Sequence, residues 1–159
     1  MAITGVSHMG LCVSNLDAAL KFYCDILGFE KVVQFNVDGS TTVQNLLELD
    51  KLKMSLTFVE RDGLRIELID IANPRPTGGG KGAFNRLGYT HLSVKVADWD
   101  AELDRLRAAG VDLIEETVGT EPDSNSRFAF ILDPDGNRVE LFGLIDETGR
   151  APWDFSVTV

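Results

Sequence analysis

The sequence predicts an α+β protein in which one module is used twice, and three observations carry that expectation. Asp62-Gly63-Leu64-Arg65-Ile66-Glu67-Leu68 and Asp135-Gly136-Asn137-Arg138-Val139-Glu140-Leu141 share Asp, Gly, Arg, Glu and Leu at matching places, 73 positions apart. Gly5-Val6-Ser7-His8-Met9-Gly10-Leu11 lies over Gly88-Tyr89-Thr90-His91-Leu92-Ser93-Val94 at an offset of 83, which pairs the two histidines of the chain. Each half then runs through the same patterns: an apolar-rich strand, an amphipathic helix closed by glycine, and two or three antiparallel strands. With 159 residues and 44% hydrophobic content, the chain suits a single domain spanning 1–159 rather than two independent ones. Its parts are a first module (3–72), a Pro/Gly-rich linker (73–87), a second module (88–144) and a C-terminal tail (145–159).

Residues 7–13 read as a strand that runs into a helix cap at Ser14 or Asn15. Leu16, Ala19, Leu20, Tyr23 and Leu27 follow at helical spacing with Phe22 beside them, and Gly28 stops the helix. Residues 29–35, 43–49, 55–59 and 65–71 read as strands, with hairpin turns at Asp38-Gly39 and Asp62-Gly63, where both turn residues must tolerate positive φ. In the second half 89–96 reads as a strand and 99–109 as a helix with Leu103 and Leu106 inward and Gly110 at its end. Asp100, Glu102, Asp104, Arg105 and Arg107 form its wet face. Residues 111–115, 127–132 and 137–144 read as strands, the last two joined by Asp133-Pro134-Asp135-Gly136.

Composition removes several function classes. Fifteen basic residues against 25 acidic ones give a net charge of −10, which repels nucleic acid and anionic membranes. No apolar run approaches the roughly 20 residues of a membrane span, and the N-terminus lacks a signal-peptide pattern; a cytoplasmic protein is expected. Cys12 and Cys24, without a CxxC motif, read as two small buried thiols. The linker glycines with Lys81 lack the spacing of a phosphate-binding nucleotide loop. Lys81 reads instead as a loop charge able to meet an anionic substrate group.

Chemistry concentrates in four residues. Each half carries one His near its start and one Glu near its end, and strand alternation points Glu67 and Glu140 away from their apolar neighbours. Duplication sets His8 with Glu67 and His91 with Glu140 in equivalent places. Facing sheets would let all four side chains converge on one divalent ion, which relieves the repulsion between the two carboxylates. Two imidazoles and two carboxylates suit Zn, Ni, Co, Fe or Mn, and affinity order alone does not choose among them.

Several stretches resemble the vicinal oxygen chelate superfamily, which includes glyoxalase I, methylmalonyl-CoA epimerase, extradiol dioxygenases and antibiotic-binding resistance proteins. They are Val6-Ser7-His8, the helix 16–28 with Phe22-Tyr23, Tyr89-Thr90-His91-Leu92-Ser93-Val94, and 130–141. The resemblance implies paired βαβββ modules forming an incomplete β-barrel around a metal, a small-molecule substrate with adjacent oxygens, and a homodimer. The order His8, Glu67, His91, Glu140 is most similar to glyoxalase I, implying a lyase or isomerase. Such an enzyme moves a proton next to a carbonyl through an enediolate or enolate, with Glu140 or Glu67 as general base and acid.

Methylmalonyl-CoA epimerases tend to have Gln in place of Glu67. Extradiol Fe(II) dioxygenases match only His8, His91 and Glu140, and the ligand-sequestering resistance proteins generally lack the metal ligands. Glyoxalase I often has Arg four residues after its first His, to meet a glutathione carboxylate, whereas this chain has Cys12. Arg127, Asn125, Lys81 and the tail around Trp153 and Phe155 are further candidates for lining a substrate mouth.

Overall fold

A computed structural model describes residues 2–149, and the chain divides into two compact units, Met1–Gly78 and Gly79–Val159. In the first, β1 (Met9–Val13) is followed by α1 (Leu16–Leu20), β2 (Glu30–Asp38), α2 (Thr41–Leu47), β3 (Lys53–Arg61) and β4 (Leu64–Asn73). In the second, β5 (His91–Val96) is followed by α3 (Trp99–Ala108), β6 (Asp112–Glu121), β7 (Ser126–Leu132) and β8 (Arg138–Leu144). Each unit holds one four-stranded sheet, ordered β1-β4-β3-β2 and β5-β8-β7-β6. The first and last strands of each unit pair parallel, and the other neighbours pair antiparallel. The α+β class and the duplicated module hold, and neither sheet closes on itself, as an incomplete barrel requires of its parts.

Residues paired across strands share a sheet face, and in each unit one face is covered. Val13, Val59, Ile66 and Leu68 are buried on the covered face of the first sheet, where α1 packs on β4. Ala129, Ile131, Val139 and Leu141 are buried in the second, together with Trp99, Leu103 and Leu106 of α3. A Cβ at Gly143 would stand 2.8 Å from the Trp99 ring, so this glycine permits the close approach of helix and strand. The acidic and basic residues of α3 form the expected wet face, with Arg105 bonded to Glu102 and Arg107 to Glu115. The Arg107 guanidinium holds the Glu115 carboxyl below its ordinary range.

Asn15 caps α1, its side chain accepting from the Ala18 N–H at 3.0 Å. The helix continues as a π-helical stretch, Lys21–Ile26, with Leu27 N–H bonded to Phe22 C=O. Phe22 and Tyr23 of this stretch both lie on the buried side. Gly28 ends the helix at φ 72°.

The segment 43–49 is not a strand. Ser40 caps α2 by accepting from Val43 N–H, and Val43 and Leu47, one turn apart, pack with Leu49 on Leu52, Met54 and Leu56. Seven residues with apolar groups at these places satisfy both alternation and helical spacing; the apolar surface of β3 beneath them decides for the helix. Asp38-Gly39 accordingly leads into a helix instead of a hairpin, although Gly39 keeps the positive φ of 68° that the turn signal implied. Asp62-Gly63 does form the β3–β4 hairpin, with φ of 50° and 80°.

The strands expected at 7–13 and 89–96 begin at Met9 and His91, and β6 extends to Glu121 past a register shift between Ile114 and Gly119. Cys12 is exposed, because it lies on the open face of β1; Cys24 is half-buried, and burial, aided by Asp25, pushes its thiol pKa up.

Asp133 holds the β7–β8 turn. Its buried carboxylate accepts from the Asp135 and Asn137 N–H groups at 3.0 and 2.7 Å and from Asn137 Nδ2 at 2.9 Å. Asp133→Ala removes all three acceptor bonds from a turn in which Asp133 is buried and Asn137 is exposed, so it should cost about 2–3 kcal/mol. The urea midpoint is expected to fall by about 1 M or more; an unchanged midpoint would show that the turn holds without the carboxylate.

Candidate metal centre

The same small assembly is built once in each unit. In the first, His8 immediately precedes β1, where Met9 pairs with Ile66. Glu67 therefore sits two places beyond the position opposite His8, and the separation His8 Nε2 to Glu67 Oε2 is 3.3 Å. In the second, His91 pairs with Arg138, Glu140 again lies two places on, and His91 Nε2 is 3.5 Å from Glu140 Oε2. The parallel pairing of first and last strand thus turns a sequence separation of 59 or 49 residues into one contact, twice.

The partners of each pair repeat too. Ser7 Oγ is 3.0 Å from His8 Nδ1, and Thr90 Oγ1 is 2.9 Å from His91 Nδ1. With the proton on Nδ1 donated to the hydroxyl, the ring presents the Nε2 lone pair beside the carboxylate, the arrangement by which metal-binding imidazoles are oriented. Phe58, opposite Glu67 in the β3–β4 ladder, sets its ring edge-on to His8 at 5.3 Å. Phe130, opposite Glu140, does the same to His91 at 5.5 Å. A second ring backs each assembly: Phe35 of β2 stacks on Phe58, and Phe84 stacks on His91.

Glu67 and Glu140 are only 16% and 20% exposed, too sheltered for the solvated outer face that a lone strand glutamate usually occupies. In the first unit α2 packs through Val43 and Leu47 on Leu52, Met54 and Leu56, away from the end of the sheet that bears His8 and Glu67. Among the described residues, neither unit brings a third His, Cys, Asp or Glu to its pair. Each unit thus sets one imidazole nitrogen beside one carboxylate.

Ser7 and Thr90 were visible in the sequence as hydroxyl residues before each His, at the same offset of 83. Phe58 and Phe130 were hidden, because they lie 72 positions apart while the glutamates lie 73 apart, the hairpins between them differing in turn length. Phe84 comes from the linker, where nothing marked it.

The other candidates fall elsewhere. Arg127 lies opposite Gly143, on the covered face, with Nη1 4.0 Å from Asp100. Asn125 adopts φ 53° and ties the end of β8, its side chain bonded to the Asp146 backbone on both sides. Lys81 is exposed on the linker. Trp153 and Phe155 lie outside the described residues.

Residues 5–141 match the Glyoxalase/Bleomycin resistance protein/Dioxygenase superfamily. The chain belongs to this superfamily. A probable lactoylglutathione lyase of Vibrio parahaemolyticus is 29% identical over 142 residues, covering 86% of this chain and 88% of that protein. A 2-epi-5-epi-valiolone epimerase of an Actinomyces species is 28% identical over 145 residues, covering 87% and 79%. A glyoxalase family protein of Bacillus cereus superposes with a TM-score of 0.78 at 23% identity, over 92% of this chain and 99% of that one. This superfamily member thus has lyase and epimerase relatives and the fold of its solved neighbours. No helix among its described residues is long and apolar enough to cross a membrane.

Proposed function

We propose that the protein is a metal-dependent lyase or isomerase of the glyoxalase I type, with His8, Glu67, His91 and Glu140 as the ligands of one divalent cation (Zn, Ni, Co, Fe or Mn). The observation that carries this reading is the His–Glu contact formed twice, each imidazole held at Nδ1 by the preceding hydroxyl. The donor set fits a cation, since two carboxylates and two neutral imidazoles bring charge −2 through oxygen and nitrogen. When bound, the ion supplies Lewis-acid polarisation of a carbonyl or neighbouring oxygen.

The chain's own groups then do the following. Glu140 or Glu67 accepts the proton from the carbon next to the carbonyl and becomes a carboxylic acid, and the same group returns that proton to the neighbouring carbon for isomerisation; epimerisation instead requires the opposite glutamate to start as the carboxylic acid and to give its proton to the other face of the same carbon. Ser7 and Thr90 hold the imidazoles against rotation. Phe58 and Phe130 wall the carboxylates with apolar surface, which limits water at the reacting carbon. An extradiol dioxygenase uses three such ligands, and Glu67, as near to His8 as Glu140 is to His91, has no task in that chemistry. The same reading makes the protein a cytoplasmic homodimer acting on a small molecule with adjacent oxygens.

The test is elemental analysis of protein purified without added metal, followed by assays of thiohemiacetals, acyl-CoA epimers and catechols with that metal restored. One divalent ion per chain and proton-transfer turnover are the expected results. Metal at two per chain, or none after loading, overturns the shared ligand set; oxygen uptake with a catechol under Fe(II) overturns the reaction type.

A further inference from the structure

The two halves differ at one matched position, and the difference opens a cationic pocket. Arg65 and Arg138 are equivalent in the repeat. Arg65 lies opposite Glu60, whose Oε2 accepts from its Nε and Nη2 at 2.9 and 2.6 Å. Arg138 lies opposite Leu132, so no carboxylate answers it. It donates instead through Nη2 to the Gly82 carbonyl at 2.7 Å and sits 5.6 Å over the Phe84 ring. Among the described residues its other N–H groups have no partner.

The linker is folded to meet it. Gly80 N–H bonds the Asp135 carbonyl at 2.8 Å, and a Cβ at Gly136 would stand 2.6 Å from the Gly80 backbone, so the linker at Gly80 and Lys81 lies against the β7–β8 turn. Between linker and strand ends is an open cleft of 360 Å³, solvent-exposed along its linker wall, with Phe84, Arg86, Tyr89, Thr90, Asn137 and Arg138 in its lining and no acidic residue. That size is in the range of small-molecule sites. In a chain of net charge −10, a lining with two arginines and no carboxylate is not background composition. Arg86, like Arg138, has no acidic partner among the described residues. Thr90 and Phe84 join the cleft to the metal-ligating imidazole, one bonded to His91 Nδ1 and the other stacked on its ring.

We infer that this pocket binds an anionic oxygen group, a carboxylate or phosphate, with Arg86 and Arg138 as its donors. Planar guanidinium groups pair with such groups through two parallel N–H bonds. The assignment of that anion to the substrate rests on the function proposed above; anion binding itself does not. The substrate would then carry its charge one aromatic ring behind His91, with its reacting oxygens on the Nε2 side.

The full chain, labelled with 15N and used as purified, is titrated with sodium phosphate and separately with sodium acetate at constant ionic strength, which controls screening. Saturable shifts of the amides of residues 82–90 and 136–138 are expected, with the stronger responder identifying the anion class. Arg86→Ala should weaken binding about tenfold. Leu132→Glu, which rebuilds the ion pair of the first half, should abolish it. Uniform, unsaturable shifts, or both variants binding as wild type does, would overturn the pocket. If Leu132→Glu does not fold, Arg86→Ala on the exposed linker still decides. Metal content is measured on the same samples: anion binding without stoichiometric metal removes the proposed function alone, and metal without anion binding removes this inference alone.

Discussion

Glu140→Gln is expected to leave a folded protein whose turnover has fallen roughly 10²–10⁴-fold, the contribution of a positioned general acid or base. Glutamine keeps the shape of the side chain and an oxygen able to face a cation, but it does not accept the proton. The assay follows incorporation of solvent deuterium at the carbon next to the carbonyl, with the substrate found by the screen and metal held at saturation. The surroundings predict little change in stability: Glu140 is paired in the β8 ladder through its backbone, and its side chain contacts His91 without closing a buried network. Glu67→Gln run in parallel shows how the work is divided. If Glu140→Gln retains turnover within a few-fold of wild type while Glu67→Gln loses it, Glu67 is the base; if both retain it, neither carboxylate carries the proton.

The second large effect is on metal binding. His8→Ala and His91→Ala each remove one nitrogen donor, and by the equivalence of their sites they should weaken the metal by similar factors, more than about 100-fold. Ser7→Ala and Thr90→Ala remove only the bond that orients a ring and should weaken it by about 10–100-fold or less, the usual range for an outer-shell partner. Competition with a chromophoric chelator measures all four variants. A single shared ion requires that either His variant empty the whole site. Half of the metal remaining in each would mean two independent sites, one per unit, and would end the four-ligand proposal.

Much of the candidate site was legible because it is written twice. The offset that aligns the histidines and the offset that aligns Asp-Gly…Arg…Glu-Leu identify His8, Glu67, His91 and Glu140 without any geometry, and a period-2 strand settles which face each Glu takes. The hydroxyls of Ser7 and Thr90 follow the same offset. Local pattern misleads where it is ambiguous. Residues 43–49 read as a strand from their apolar alternation, although β2, β3 and β4 already complete the βαβββ module, and they fold as α2, a helix without a counterpart in the second unit, because Leu52, Met54 and Leu56 offer it an apolar seat.

By itself, then, the sequence determined the two modules, their α+β class, the strand and helix order apart from α2, and the pairing of His8 with Glu67 and of His91 with Glu140, all properties of local pattern and repetition. Tertiary structure alone decided what surrounds those pairs. Phe58 and Phe130 reach the imidazoles through hairpin register, Phe84 through the path of the linker, and Arg138 lies without a carboxylate because Leu132 stands where Glu60 stands in the other half. The physical reason is that a strand pattern specifies which way a side chain points but not which residue of another strand it meets, since that depends on register and turn length, and these are settled only when the sheet forms.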